Sequence, residues 1–134
     1  NATKHGWYFN LAGAGKKVLG EAVVFGGQVY FTTYTPGGAA VSDPCNAAGA
    51  AKIYGVSYIT GAGSLTGNAR SITLGVGIPT APTLSLNPYS PTPDLYVTIS
   101  GGSGTGATTI KAPVTPGGTG NRTNILYWRD RRLQ

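Results

Sequence analysis

The sequence predicts an all-β fold, an antiparallel meander of short strands joined by glycine and proline turns. Three observations support this class. The 134 residues include 22 Gly and 9 Pro, which interrupt the chain too often for long helices. Charged residues make up only 10% and Glu21 is the single glutamate, so the solvated face of an amphipathic helix is missing. Hydrophobic residues reach 40%, which is enough to form a buried core.

The hairpin around Gly26-Gly27 is the strongest local prediction. Two runs of β-branched and aromatic residues, 21–25 and 28–34, are separated by these two glycines. Both positions of a two-residue primed turn need a positive φ, which glycine adopts without strain. We therefore expect a tight hairpin at this point of the chain.

The other strands are predicted from apolar runs between glycine and proline turns. They form a first series over residues 6–76, which contains the hairpin, and a second series with a closing strand over residues 79–134. Outside the hairpin, strands are expected at residues 6–11, 51–60, 70–76, 79–86, 95–99, 107–114 and 124–129. Loops are expected at residues 39–50, 87–94 and 101–106.

The spacing of the strands also has a coarser period. The four strands between residues 21 and 76 and the second series each span about 45 to 55 residues, comparable with the roughly 40 to 50 residues of a four-stranded propeller blade. We interpret residues 1–134 as a single all-β segment of about two blades of a β-propeller-like domain. Propellers close with about four to eight blades, so two blades alone would leave sheet faces and strand edges exposed. We expect the rest of a longer polypeptide or neighbouring subunits to bury them. A small β-sandwich fits the pattern almost as well.

The composition argues against enzyme chemistry. The chain has one His, one Cys and four acidic residues, Glu21, Asp43, Asp94 and Asp130. A paired-carboxylate site, a Ser/His/Asp site or a multi-ligand metal site would need almost all of them. We predict no catalytic residue, no cofactor and no metal ligand. The Asp residues are isolated, so no standard calcium loop is expected.

Net charge and apolar patterning indicate the class of partner. The chain carries a net charge of +6, but its basic residues cluster only weakly, near the end, so nucleic acid is not a predicted partner. No run approaches the roughly 20 apolar residues of a membrane span. Protein partners are expected instead, and the chain is predicted to assemble with other chains. The candidate interaction residues are Trp7, Tyr8, Tyr30, Tyr34, Tyr127, Trp128 and Arg129.

Three further features concern processing and the cell exterior. The start at Asn1 lacks an initiator Met, and we expect removal of an upstream leader or domain. Cys45 is interpreted as a small buried hydrophobe or as a residue whose partner lies outside this chain. Asn1 and Asn121 match the Asn-x-Ser/Thr acceptor pattern, which carries little weight alone. The Gly/Thr/Tyr-rich, Glu-poor composition suits an extracellular location.

Several stretches resemble, in order, the closing part of the PilY family of type IV pilus tip proteins. The most specific are in the first third, and the resemblance touches most of the chain apart from the glycine and proline connectors. The matching stretches are residues 4–11, 15–20, 23–36, 43–45, 51–61, 74–79 and 126–129.

The resemblance implies a C-terminal segment of a modified β-propeller at the bacterial cell surface. Members of this family reside at the tip of type IV pili, prime pilus assembly with minor pilins, and take part in adhesion and twitching. Two family features have no counterpart among these residues, namely the calcium-binding loop and the adhesive N-terminal domain. Calcium control and tip adhesion by that domain are therefore not expected of this chain.

Three functional hypotheses follow. The first is a non-enzymatic structural and adhesive module of a type IV pilus-associated protein, which pairs exposed strand edges with pilins, minor pilins or the upstream part of its own precursor. The second is a processed subunit of an extracellular filament or surface coat that polymerises through the same edges. The third is a carbohydrate-binding propeller fragment, which would need a cluster of aromatic residues.

Overall fold

The computed structural model describes residues 6–37, 49–85, 94–100 and 106–112. These residues form eight β-strands in two antiparallel sheets and one short 3-10 turn at Thr66–Asn68, which confirms the predicted all-β class. The strands are β1 (Lys17–Val18), β2 (Val23–Phe25), β3 (Gln28–Thr35), β4 (Ala50–Ser57), β5 (Ser71–Val76), β6 (Thr83–Ser85), β7 (Asp94–Ile99) and β8 (Thr108–Ala112).

The large sheet contains five strands, in which β1 and β2 lie end to end against β3, followed by β4 and β5. The predicted hairpin joins β2 to β3. Gly26 and Gly27 have φ values of 56° and 81°, as a primed turn requires, and Phe25 pairs with Gln28. Strand β4 is central, because β3 pairs with one of its sides and β5 with the other.

The small sheet contains three strands in the order β6-β7-β8. The segment between β5 and β6 continues alongside β7, since the amide of Thr80 donates to Thr98 at 2.8 Å and that of Ser100 donates to Ile78 at 2.9 Å. The Thr32 hydroxyl of β3 donates to the carbonyl of Thr80 at 2.8 Å and ties this segment to the large sheet. The sheets are therefore joined by both a covalent and a hydrogen-bonded connection.

In the part of the chain that the structure describes, one hydrophobic core lies between the two sheets. Strand alternation points one face of the large sheet toward the small sheet, and we call it the core face. The buried members of the core are Tyr30, Ile53, Leu65, Leu95, Val97 and Ala112, with Ala69, Ile72, Leu74 and Leu84 packed against them. Two sheets that share a core are common to a small sandwich and to two neighbouring propeller blades, so both predicted architectures are consistent with this packing.

Several predicted elements differ from the structure. The strand expected at residues 6–11 is wrong, because this segment has no backbone pairing in the described residues and its side chains lie on the large sheet instead. The strand expected at 79–86 is limited to β6, since Pro79 and Pro82 have no amide hydrogen to donate to a ladder. Strand β1 was not predicted. The closing strand at 124–129 lies outside the described residues, as do most of the predicted loops.

Candidate interaction surface

Four aromatic rings stack in a file across the outer face of the large sheet, the face opposite the core. Phe31 and Tyr54 are cross-strand partners on β3 and β4, with ring centres 5.0 Å apart and planes 8° from parallel. Phe9 stacks on Tyr54 at 5.9 Å, and Trp7 stacks on Phe9 at 5.9 Å. We call these residues the aromatic file. Each such pair stabilises the fold by about 0.5 to 1.5 kcal/mol beyond the burial of its area.

The first ring of the file is held in place by the turn that follows β4. The indole nitrogen of Trp7 donates to the carbonyl of Tyr58 at 2.8 Å. Gly61 has a φ of +68°, and a Cβ at this position would lie 2.7 Å from the indole ring. The ring can therefore rest against the turn only because residue 61 is glycine.

Cations flank the aromatic file. The Lys16 ammonium donates to the Tyr54 hydroxyl at 3.3 Å and lies 5.8 Å from the centre of that ring. The Arg70 guanidinium lies 5.6 Å from the ring centre of Phe9. Both distances are within the range of cation–π attraction. Lys52 lies two residues before Tyr54 on β4, so strand alternation places it on the same face.

These cations have no acidic partner among the residues that the structure describes. There the single ion pair is Lys111–Asp94, at 2.7 Å, and it belongs to the small sheet. We call Lys16, Lys52 and Arg70 the cationic cluster. Its positive charge is not neutralised by any described side chain.

Large apolar side chains are exposed at the hairpin end of the large sheet. The Trp7 indole is hydrogen-bonded to the backbone of Tyr58, and the amide of Tyr58 donates to the carbonyl of Gly27 in the hairpin turn at 3.2 Å. The segment that contains Trp7, the turn after β4 and the hairpin therefore meet at this end of the sheet. We call the exposed apolar side chains at this end the tip surface. Its members and their exposed fractions are Trp7 (37%), Tyr8 (88%), Val24 (65%), Tyr58 (54%) and Ile59 (70%).

The structure separates the interaction residues predicted from the sequence. Trp7 and Tyr8 lie together on the tip surface. Tyr30 is a correction, because its side chain fills the core between the two sheets and is not part of the surface. Tyr34 is half-buried, and its hydroxyl accepts a hydrogen bond from the amide of Gly49 at 3.2 Å. Tyr127, Trp128 and Arg129 lie outside the described residues.

Sequence reasoning missed several residues of this surface. Tyr58 and Ile59 were assigned to the end of a strand, whereas the turn at the end of β4 exposes them. Strand alternation in the sequence is sufficient to place Ile53 and Tyr54 on opposite faces of β4. The cations gave no usable signal, because Lys16 and Tyr54 are 38 positions apart and meet only when β1 and β4 are both paired to β3.

An open cleft of about 220 Å³ lies between β5 and the β7–β8 pair. Its lining contains no titratable side chain and consists of Leu74, Gly75, Val76, Ile99, Ser100, Thr108 and Ile110. Such a lining offers neither a general acid nor a general base.

Within residues 6–37, 49–85, 94–100 and 106–112, no three His, Cys, Asp or Glu side chains lie close enough together to hold a metal ion. In the same ranges, no helix has the length and apolar character needed to cross a membrane. The absence of a catalytic group or cofactor site remains a prediction.

Together the fold and the surface define a two-sheet β-module with an aromatic, cationic outer face and an apolar tip. The chain matches no protein-family model, no curated protein and no solved structure. The resemblance to the PilY family therefore rests on the sequence stretches that carry it.

Proposed function

We propose that this chain is a non-enzymatic structural and adhesive module of a type IV pilus-associated surface protein, acting outside the cell by binding protein partners. The observation that carries the proposal is the tip surface. The resemblance of the first third of the chain to the PilY family supplies the pilus context.

The tip surface has the composition of a protein-binding site. Exposed apolar patches on soluble proteins mark interaction sites, and aromatic residues are enriched at the centres of interfaces. Trp7 is held by a hydrogen bond and by contact with Gly61, so little side-chain entropy is lost when it is covered. Tyr8 and Ile59 supply the most exposed apolar area.

A free strand edge offers a second route to partners. Among the described residues, β5 pairs with β4 and has no strand on its other side. Its sequence, Ser-Ile-Thr-Leu-Gly-Val, contains neither the lysine nor the proline that protects many edges. A partner strand could extend the sheet here by main-chain hydrogen bonds.

The same edge supports the second candidate function, a processed subunit of an extracellular filament or surface coat. Pairing of β5 with another copy would join large sheets without any other protein. This alternative predicts assemblies whose size increases with concentration in size-exclusion chromatography. A module that binds only pilins gives a constant elution volume over the same concentrations.

Site-specific photo-cross-linking in piliated cells tests the leading proposal. A photoreactive residue at Ile59 lies on the tip surface, and one at Thr83, exposed on the small sheet, is the matched control. We expect Ile59 to cross-link to a pilin or minor pilin in sheared filaments, and Thr83 not to. Recovery of the chain only inside the cell would contradict the proposal. Cross-links solely between copies of the chain would favour the filament subunit.

A further inference from the structure

The outer face of the large sheet carries positively charged hydrogen-bond donors that have no negatively charged acceptor among the described residues. Lys16 lies by the ring of Tyr54 and Arg70 by the ring of Phe9, and strand alternation places Lys52 on the same face. None of the three has an acidic partner in the described part of the chain. The Tyr54 hydroxyl accepts from Lys16 and keeps its own proton to donate. The chemistry of this face is complementary to an anion.

A buried hydroxyl adds an independent observation. Thr33 is fully buried, and its hydroxyl has no hydrogen-bond partner in the structure. Thr33 pairs with Lys52 across β3 and β4, and strand alternation places its side chain on the outer face beside the cationic cluster. A buried donor left without a partner destabilises the fold, and an anion held between the lysines could accept its hydrogen bond.

The position of these groups on a sheet face narrows the class of ligand. Lys52 and Tyr54 lie on β4, whose backbone is paired on both sides, so an acidic peptide could not add here as a strand. Single-stranded nucleic acid needs open ring faces on which its bases stack. In the aromatic file Phe31 and Phe9 both stack on Tyr54, which is 7% exposed, and Gly61 closes one side of Trp7.

We propose that the cationic cluster and the hydroxyls of Thr33 and Tyr54 bind the carboxylate groups of an acidic polysaccharide. Such a polymer supplies anions for the cations and its own hydroxyl groups for hydrogen bonds, and it needs no backbone partner. This inference rests on the proposed adhesive function, because it names the surface to which the module would adhere.

Binding of the full chain to uronate polymers tests the inference. Polygalacturonate and alginate are the probes, neutral dextran is the uncharged control, and isothermal titration calorimetry at two salt concentrations is the readout. We expect binding to both uronates that weakens as salt rises, and no binding to dextran. No binding of the wild type to either uronate would overturn the inference.

Lysine substitutions test the location of the site. The double variant Lys16→Gln, Lys52→Gln should weaken uronate binding about tenfold, since two charge-assisted contacts are lost. The double variant Lys17→Gln, Lys111→Gln is the charge-matched control, because alternation points Lys17 away from the outer face and Lys111 lies on the small sheet. It should bind as the wild type does. An equal loss in both variants would show attraction by net charge alone and would overturn the site.

Two further probes separate this inference from its competitors. Poly-glutamate of matched charge tests for an acidic protein, and equal affinity for it would overturn the assignment to polysaccharide. The Thr33→Val variant keeps the buried volume and should weaken uronate binding while the chain stays folded. Because these measurements need no pilus, their readout is separate from the cross-linking at Ile59, and a failure of this inference can be told apart from a failure of the proposed function.

Discussion

The two faces of β3 and β4 are covered in different ways. On the core face, Tyr30 and Ile53 are packed against the small sheet, whose strands pair with one another. On the outer face, Phe31 and Tyr54 are covered by the segment before β1, which makes no strand and contacts the sheet through its rings. The first arrangement buries Tyr30 and Ile53 almost completely, whereas the second leaves Trp7 and the cationic cluster partly exposed.

The core face mainly determines the stability of the fold, and the outer face carries the groups available for binding. Closely packed interiors respond to the loss of even a methylene group. On a face covered by stacked side chains, a substitution has its main effect when it displaces a group that holds those side chains in position. We therefore expect substitutions on the core face to change the free energy of unfolding, and substitutions on the outer face to change ring positions and binding.

The largest effect is expected from Ile53→Ala on the core face. Ile53 is fully buried, and removal of its side chain should lower the free energy of unfolding by about 3 to 4 kcal/mol. Ile59→Ala removes the same atoms at an exposed position and should change it by less than about 0.5 kcal/mol. Urea unfolding measures both. Equal losses in the two variants would contradict the assignment of the core.

A smaller effect is expected from Gly61→Ala, which should displace the Trp7 ring from the turn after β4. Gly67→Ala is the matched control, because the two glycines have φ values of +68° and +71°, but a Cβ at Gly67 would meet nothing within 4 Å. Both variants carry a backbone cost of about 1 to 2 kcal/mol. Gly61→Ala should in addition move Trp7, at a further cost of about 1 kcal/mol.

Tryptophan fluorescence in a Trp128→Phe background isolates the Trp7 signal. The emission spectrum should change in Gly61→Ala and remain that of the parent in Gly67→Ala. If neither spectrum changes, Trp7 does not rest on this turn.

Alkaline pH should destabilise the core face through Tyr30. Burial raises the pKa of its hydroxyl above 10.0, and the neighbouring Ser64 offsets only part of the rise. The unfolded chain then loses this proton at a lower pH than the folded chain does. The contribution of Tyr30 is therefore fully present below pH 10.0 and is lost as pH rises through the folded pKa. Chemical unfolding of Tyr30→Phe between pH 8 and 11 should show a weaker decline than the wild type, and parallel curves would refute this.

The smallest effect is expected from Lys111→Met, which removes the ion pair of the small sheet. The hydrogen bond to Asp94 raises the pKa of Lys111 above its ordinary 10.5, so any stabilisation is fully present below pH 10.5 and is lost as pH rises through the folded pKa. The ammonium is exposed to water and salt, and such pairs contribute little. Thermal melts at pH 7 should barely differ from the wild type, and a large drop in Tm would show that the pair is essential.

The sequence predicted those elements whose signal is local. The hairpin at Gly26-Gly27 was predicted because two adjacent glycines and their flanking strands contain all the information that the turn needs. The segment around Trp7 and Phe9 was assigned to a strand because aromatic residues favour strands. That preference reflects packing on a sheet surface, and here the rings pack on a sheet to which their backbone does not pair.

The surface was harder to predict for a related reason. Alternation shows that Tyr30 and Phe31 point to opposite faces of β3, but both faces are rich in aromatic and apolar residues. Composition cannot then indicate which face the small sheet covers. Tyr30 was accordingly placed on an interaction surface although it fills the core. The approach of Lys16 to Tyr54 depends on the pairing of three strands, which no short motif encodes.

The anchor of Trp7 also determines when the outer face can form. Its hydrogen-bond acceptor on Tyr58 lies 51 positions further along the chain. The pairing of β2 with β3 joins residues that are close in the sequence. This hairpin can therefore form while the chain is still short, because closing a small loop costs little entropy. The aromatic segment begins the described structure yet has no place to dock until the turn after β4 exists. Trp7 should therefore become protected late in folding, and its fluorescence would report the last step rather than the first.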